Sequence, residues 1–153
     1  CDDTAALDPL TRGHVVAWPR PLDHAALNRA AAGLVGEHDF AAFCKRREGA
    51  TTVRELQQLD AARTPGALEV TVRADAFCHS MVRALMGCLV AVGEGRRPDG
   101  WAGEVLAGRE RDPAVTVMPA HGLTLEEVSY PPDDKLAAQA GAARRLRTLE
   151  DHP

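Results

Sequence analysis

Apolar positions cluster into a few segments, and the longest, residues 76–93 (AFCHSMVRALMGCLVAVG), carries a single full charge, Arg83. At helical spacing Met81, Leu85, Cys88, Leu89 and Val92 share one face, while Val82, Met86 and Val90 cover much of the opposite one. The pattern predicts a core helix with little of its circumference left for water. A guanidinium stays protonated in a protein, so Arg83 on such a helix requires an anion or several acceptors.

Other periodicities predict the surrounding elements. Residues 14–18 (HVVAW) read as a short edge strand stopped by Pro19 and Pro21. A helix over 23–35 follows, with Asp23 as N-cap, Leu27, Ala30, Ala31 and Leu34 on one face, and Gly36 closing it. Leu68, Val70 and Val72 alternate with Glu69, Thr71 and Arg73, a half-buried strand preceded by the turn residues Pro65 and Gly66. The preceding stretch, 51–60, supports two readings. Thr52-x-x-Glu55 is a capping box and Val53, Leu56 and Leu59 have helical spacing, yet a hairpin over 51–76 would give the second strand a partner. Asp99 can cap a short helix ending at Gly108, with Trp101, Val105 and Leu106 inward. Leu123 and Leu125 have one parity and Val128 and Tyr130 the other, which predicts a strand with a bulge near Glu126 and Glu127. Beyond Pro131 and Pro132, Asp133 and Asp134 open an alanine-rich, solvent-exposed tail helix whose Arg144, Arg145 and Arg147 complement its dipole.

Composition narrows the function classes. With 153 residues, 45% hydrophobic and 26% charged, the chain reads as one soluble globular domain able to bury a core. A formal charge of -4 excludes a global basic surface, so a nucleic-acid partner would need a local patch. Lys45, Arg46 and Arg47 form such a run, which is either a solvated loop or a phosphate-contacting patch. Cysteines at 1, 44, 78 and 88 form no C-x-x-C pair, and two of them lie in the core segment, which predicts reduced structural thiols in the cytoplasm. The apolar run is interrupted by Arg83 and is shorter than the roughly 20 residues of a membrane span. No signal peptide is visible, and a chain opening CDDT suggests processing or a fragment of something longer. Gly93-x-Gly95 ends a helix, whereas a nucleotide-binding loop opens one after a strand. His38 and His121 lack partners at metal-ligand spacing, and Cys44 has no evident base.

Three stretches, GEHDFAAFCKRREGATTVREL, AFCHSMVRALMGCLVAVGEGRRP and PAHGLTLEEVSYP, resemble in order and spacing the second half of the tRNA pseudouridine synthase A family, bacterial and specifically actinobacterial members above all. The resemblance covers residues 9–134, and its specificity lies in the combination of F-x-H-x-M-V-R with G-L-x-L. It implies an isomerase that converts uridine to pseudouridine in the tRNA anticodon stem-loop, at positions 38 to 40 of the tRNA, with no metal and no cofactor. In that chemistry an aspartate acts on a flipped-out nucleotide, the glycosidic bond breaks, and the uracil turns and rejoins through carbon. The roles implied are Arg83 as partner of the catalytic aspartate and Leu123 as apolar wall of the base pocket; His79 is a candidate for contacting the substrate RNA or a helix N-terminal histidine satisfied by backbone, and Lys45, Arg46 and Arg47 stay the candidate RNA-binding run.

The family's catalytic R-T-D-x-G-V-H-A motif does not occur here, and Asp39 and Asp75 stand in other settings. The implied picture is half an enzyme, inactive alone, whose partners are a missing N-terminal half and, by the family's habit, a second copy. The implied fold is α+β, an antiparallel (mixed) sheet of about four or five strands with helices on one face. In it 51–60 and 68–77 are strands, which decides the hairpin against the helix. The expected organisation is a linker at 1–12, an α+β domain at 13–132 and a tail helix at 133–153. A different class, a non-catalytic RNA-binding or dimerisation module, is disfavoured by 4% aromatic content and the lack of an aromatic pair on a strand.

Overall fold

A computed structural model of the chain describes residues 8–45, 47 and 49–143. Its elements are α1 (His24–Ala32), β1 (Gly36–Asp39), a 3-10 turn (Phe40–Phe43), β2 (Val53–Thr64), β3 (Ala67–Ala74), α2 (Met81–Gly93), α3 (Trp101–Gly108) and α4 (Leu136–Ala143). Short 3-10 turns also occur at Ala120–Gly122 and Asp133–Lys135. The fold is α+β.

Asp23 starts α1 as the sequence predicts, its carboxylate accepting from the amides of Ala25 and Ala26, a cap worth about 1 kcal/mol. Gly33, rather than Gly36, ends the helix; Gly36 opens β1 at φ 118, where a side chain would be strained. β2 and β3 form the hairpin around Pro65 and Gly66, with Gly66 at φ 81, and β1 pairs antiparallel with the other edge of β2. A register shift between Leu56 and Gln58 inserts Gln57 as a bulge. The extra residue lets Leu56 and Leu59 both face the core although they are three apart. That spacing, helical to the eye, is therefore a bulged strand.

α1 lies across β2 and α2, and the layer between them is the core. Leu27, Leu34, Phe40, Phe43, Leu56, Leu68, Met81, Leu85 and Leu89 are fully enclosed there. Each such side chain contributes about 1.5–3 kcal/mol of burial. α3 closes one side with Trp101, Ala102, Val105 and Leu106 inward.

Several expectations need correction. Among the described residues the sheet has three strands, in the order β1-β2-β3, not four or five. Residues 123–130 are exposed and form no strand, so no bulge develops at Glu126 and Glu127, and 14–18 holds only an isolated bridge at Ala17. A strand needs a neighbour to satisfy its backbone groups, and no described residue supplies one to 123–130. α2 begins at Met81 rather than 76 because Ser80 takes a left-handed conformation (φ 70) that breaks the helix. Asp99 does not cap α3; Gly100 holds that position and Asp99 pairs with Arg29 at 2.6 Å.

The thiol prediction is overturned for two cysteines. Cys44 and Cys78 form a disulfide, Cα–Cα 5.7 Å, while Cys88 remains free and buried. Cys78 lies in the turn before α2, where the chain folds against the end of the first 3-10 turn. The Lys45 amide donates to the His79 carbonyl at 2.9 Å in the same place. Cys1 lies outside the described residues. α4 is exposed over the described side chains 136–141, and Arg144, Arg145 and Arg147 lie outside the described residues. No described helix is long and apolar enough to cross a membrane.

Candidate active-site cleft

Ten of the thirteen residues of α2 are buried; the other three are Val82, Arg83 and Met86. They share one helical face, which lines a cleft of about 90 Å³ together with Leu68, Val70 and Val72 of β3. Met118, Pro119, Gly122 and Leu123 form the far wall. The strand alternation thus does two jobs. Leu68, Val70 and Val72 point inward as the sequence predicts, and they carry the apolar surface from the core out to the cleft.

Arg83 is partly buried at this cleft. Its Nε donates to the Met118 carbonyl, and the Met118 amide returns a bond of 3.0 Å to the Arg83 carbonyl. Among the described residues no carboxylate pairs with Arg83, and no hydrogen bond engages its terminal nitrogens. Its two terminal nitrogens, with four N–H donors, stand beside apolar walls, where the reduced dielectric would strengthen any contact with an anion. Leu123 stands on the same cleft, 46% exposed. Beyond it the exposed apolar residues Leu125, Val128 and Tyr130 continue outward.

The other end of α2 behaves differently. The Glu94 side chain is 1% exposed and accepts from Trp18 Nε1 at 2.7 Å, from Arg20 Nε at 2.5 Å and from Arg96 Nε. Burial pushes its carboxyl upward, but the bonds from Arg96, Arg20 and Trp18 outweigh this and hold it below the usual carboxylate value. Burial also pushes the Cys88 thiol up to about 12, Asp112 adding to the effect, so Cys88 is no nucleophile at neutral pH.

The family model for tRNA pseudouridine synthase matches residues 30–131, a span holding every element that forms the cleft except Val16. The chain belongs to the tRNA pseudouridine synthase family. It is 61% identical over 150 residues to tRNA pseudouridine synthase A of Streptomyces griseus subsp. griseus, covering 97% of this chain and 53% of that protein. Its identity to tRNA pseudouridine synthase A of Frankia casuarinae is 63% over 141 residues, covering 92% of this chain and 52% of that one. With the protein of that name from Cutibacterium acnes it is 53% over 153 residues, covering 98% and 55%. The chain spans about half the length of these synthases.

Of the residues the sequence singles out, Arg83 and Leu123 meet at one cleft, whereas His79 and Lys45 meet elsewhere, at the disulfide-linked turn before α2. Lys45, Arg47 and His79 are exposed; Arg46 lies outside the described residues. The remaining polar candidates do structural work in this synthase-family chain. His38 Nε2 bonds the Val35 carbonyl, Asp39 accepts from the Ala41 amide and the Thr52 hydroxyl, and Asp75 accepts from the amides of Glu55 and Ala76. Sequence reasoning missed the Met118 carbonyl, because a backbone acceptor leaves no mark on residue type. It also missed the disulfide, for which a separation of 34 residues carries no local signal.

Proposed function

We propose that the chain is the C-terminal half of a tRNA pseudouridine synthase that isomerises uridine to pseudouridine at positions 38 to 40 of the anticodon stem-loop. One observation carries the reading: Arg83 presents free terminal nitrogens to an apolar cleft in which no described residue offers a carboxylate. The catalytic aspartate comes from the preceding half, and Arg83 holds it ionised and oriented. Leu123, with Val70 and Val72, walls the pocket for the flipped-out base and excludes water while the glycosidic bond is open. The reaction is an isomerisation within this site, with neither metal nor cofactor called on.

The exposed residues 123–130 supply the surface on which the preceding half docks, and their unmet backbone groups become a strand on pairing with it. Lys45, Arg46 and Arg47, with His79, contact the RNA at the turn before α2. The working enzyme is a homodimer in the cytoplasm. There the thiol pool opposes disulfides, so the Cys44–Cys78 bond is the covalent feature most dependent on surroundings.

Tritium release from undermodified tRNA labelled at uridine tests the reading. The chain alone is expected to give none, and a protein joining it to the preceding half of such a synthase is expected to give turnover. Turnover by the chain alone removes the need for an external aspartate. Binding to tRNA by the joined protein without turnover points instead to a non-catalytic RNA-binding module.

A further inference from the structure

Gly87 stands one helical turn after Arg83 on α2, and a Cβ built there would lie 1.6 Å from the carbonyl oxygen of Thr116 and 2.7 Å from its carbonyl carbon. Both are backbone atoms, so no rotamer change makes room. The other crowded glycines differ: at Gly93 the nearest atom is Leu27 Cδ1 at 2.7 Å, and at Gly122 it is Val16 Cγ2 at 2.6 Å, both ends of side chains. In a helix interior glycine is less favourable than alanine by about 0.8–1 kcal/mol. Local preference therefore opposes glycine at 87, and a tertiary contact requires it.

That contact sets the geometry of the cleft. With no Cβ in the way, residues 115–118 lie directly on α2, Val115 and Met118 buried, and the chain arrives with the Met118 amide on the Arg83 carbonyl and the Met118 carbonyl on Arg83 Nε. A guanidinium is planar and rigid, so fixing Nε fixes the plane of the whole fork. Nε is then spent, and an anion can be gripped only end-on, through the two terminal nitrogens.

We propose that Gly87 is a positioning residue for Arg83: by admitting the Thr116 backbone against α2, it locks Arg83 Nε to Met118 and dictates end-on engagement of the anion. The identity of the anion rests on the functional reading above; the locking geometry does not. Nitrogen-15 NMR of this chain reads it directly. The Arg83 Nε–H and the Met118 amide are expected to exchange with solvent at least about tenfold more slowly than the Nε–H of the exposed Arg109. Exchange of Arg83 Nε–H at the Arg109 rate overturns the proposal, whatever any variant does.

Gly87→Ala is expected to remove both protections together. Gly103→Ala, at a helical glycine whose added Cβ meets nothing within 4 Å, is expected to leave them. A folded Gly87→Ala protein that keeps both protections overturns the proposal; if that variant does not fold, the wild-type exchange rates decide. In the joined, active synthase, Gly87→Ala should lower kcat on the order of 10- to 100-fold with KM for tRNA within about twofold. An unchanged kcat, or a loss carried by KM, overturns it. If the joined protein forms no pseudouridine while the exchange pattern holds, the functional reading fails and the positioning role stands.

Discussion

Two charges sit on the same helix in opposite states. At the C-terminal end of α2, Glu94 is enclosed and saturated by Trp18, Arg20 and Arg96, all supplied by this chain. In the middle, Arg83 has one backbone acceptor and, among the described residues, no partner for its terminal donors at an open cleft. A buried charge that a fold completes by itself stabilises that fold, and removing a partner leaves a costly orphan. A charge that the fold holds in place but leaves incomplete serves something else, because stability alone would have paired it or replaced it with an apolar residue. Glu94 is thus a structural charge, and Arg83 is the charge we propose as functional, although residue type and helix position alone do not separate them.

The contrast can be broken experimentally, beginning where the largest effect is expected. In the joined synthase, Arg83→Ala should lower pseudouridine formation by about 10²–10³-fold, measured by tritium release, while the midpoint of urea unfolding moves little. A loss of stability matching the loss of activity would make Arg83 a structural charge like Glu94. The Cys44–Cys78 bond closes a loop of 34 residues, and reduction should destabilise the chain by about 3–4 kcal/mol. Urea titrations with and without reductant check this, and Cys44→Ala should erase the difference.

Glu94→Gln should destabilise the chain by about 1–3 kcal/mol with no change in kcat of the joined enzyme, the inverse of the Arg83 result. Its pH dependence has a definite sign. The folded carboxyl titrates below 4.5, so the unfolded chain takes up the proton first. Stability from Glu94 is present above about pH 4.5 and is lost as pH falls through the lower folded value. Acid unfolding of Glu94→Gln should accordingly be shallower than that of the wild type. The smallest effect is expected on the RNA: Lys45→Glu with Arg47→Glu should weaken tRNA binding about tenfold and reduce the salt slope by about 2. Unchanged filter binding across salt concentrations would take this run off the RNA surface.

Much of the scaffold is legible in the residues because it depends on local chemistry. Asp23 caps because a carboxylate before a helix meets free amides, and Leu68, Val70 and Val72 alternate because a half-buried strand demands it. The demand of Arg83 for an acceptor was legible too, since one guanidinium stands among apolar residues, but the opening of Val82 and Met86 onto a cleft was not. The three-residue spacing of Leu56 and Leu59 left two readings open because a helix and a bulged strand share it, and the expected hairpin is the one observed. The strand expected at 123–130 failed to form: its alternation is present, but pairing requires a neighbour that the sequence of the segment cannot provide.

The sequence by itself determined which helix forms the core, most of the residues that face inward, and that Arg83 needs an anion or several acceptors. Only the tertiary structure decided where that need is exposed, that the Met118 carbonyl takes Nε, that Gly87 must lack a side chain, and that Cys44 meets Cys78. The division has one physical cause. Propensity, capping and amphipathic period act between near neighbours and are written in residue types. Backbone contacts between distant segments depend on where the chain returns in space, and any residue type can supply a carbonyl.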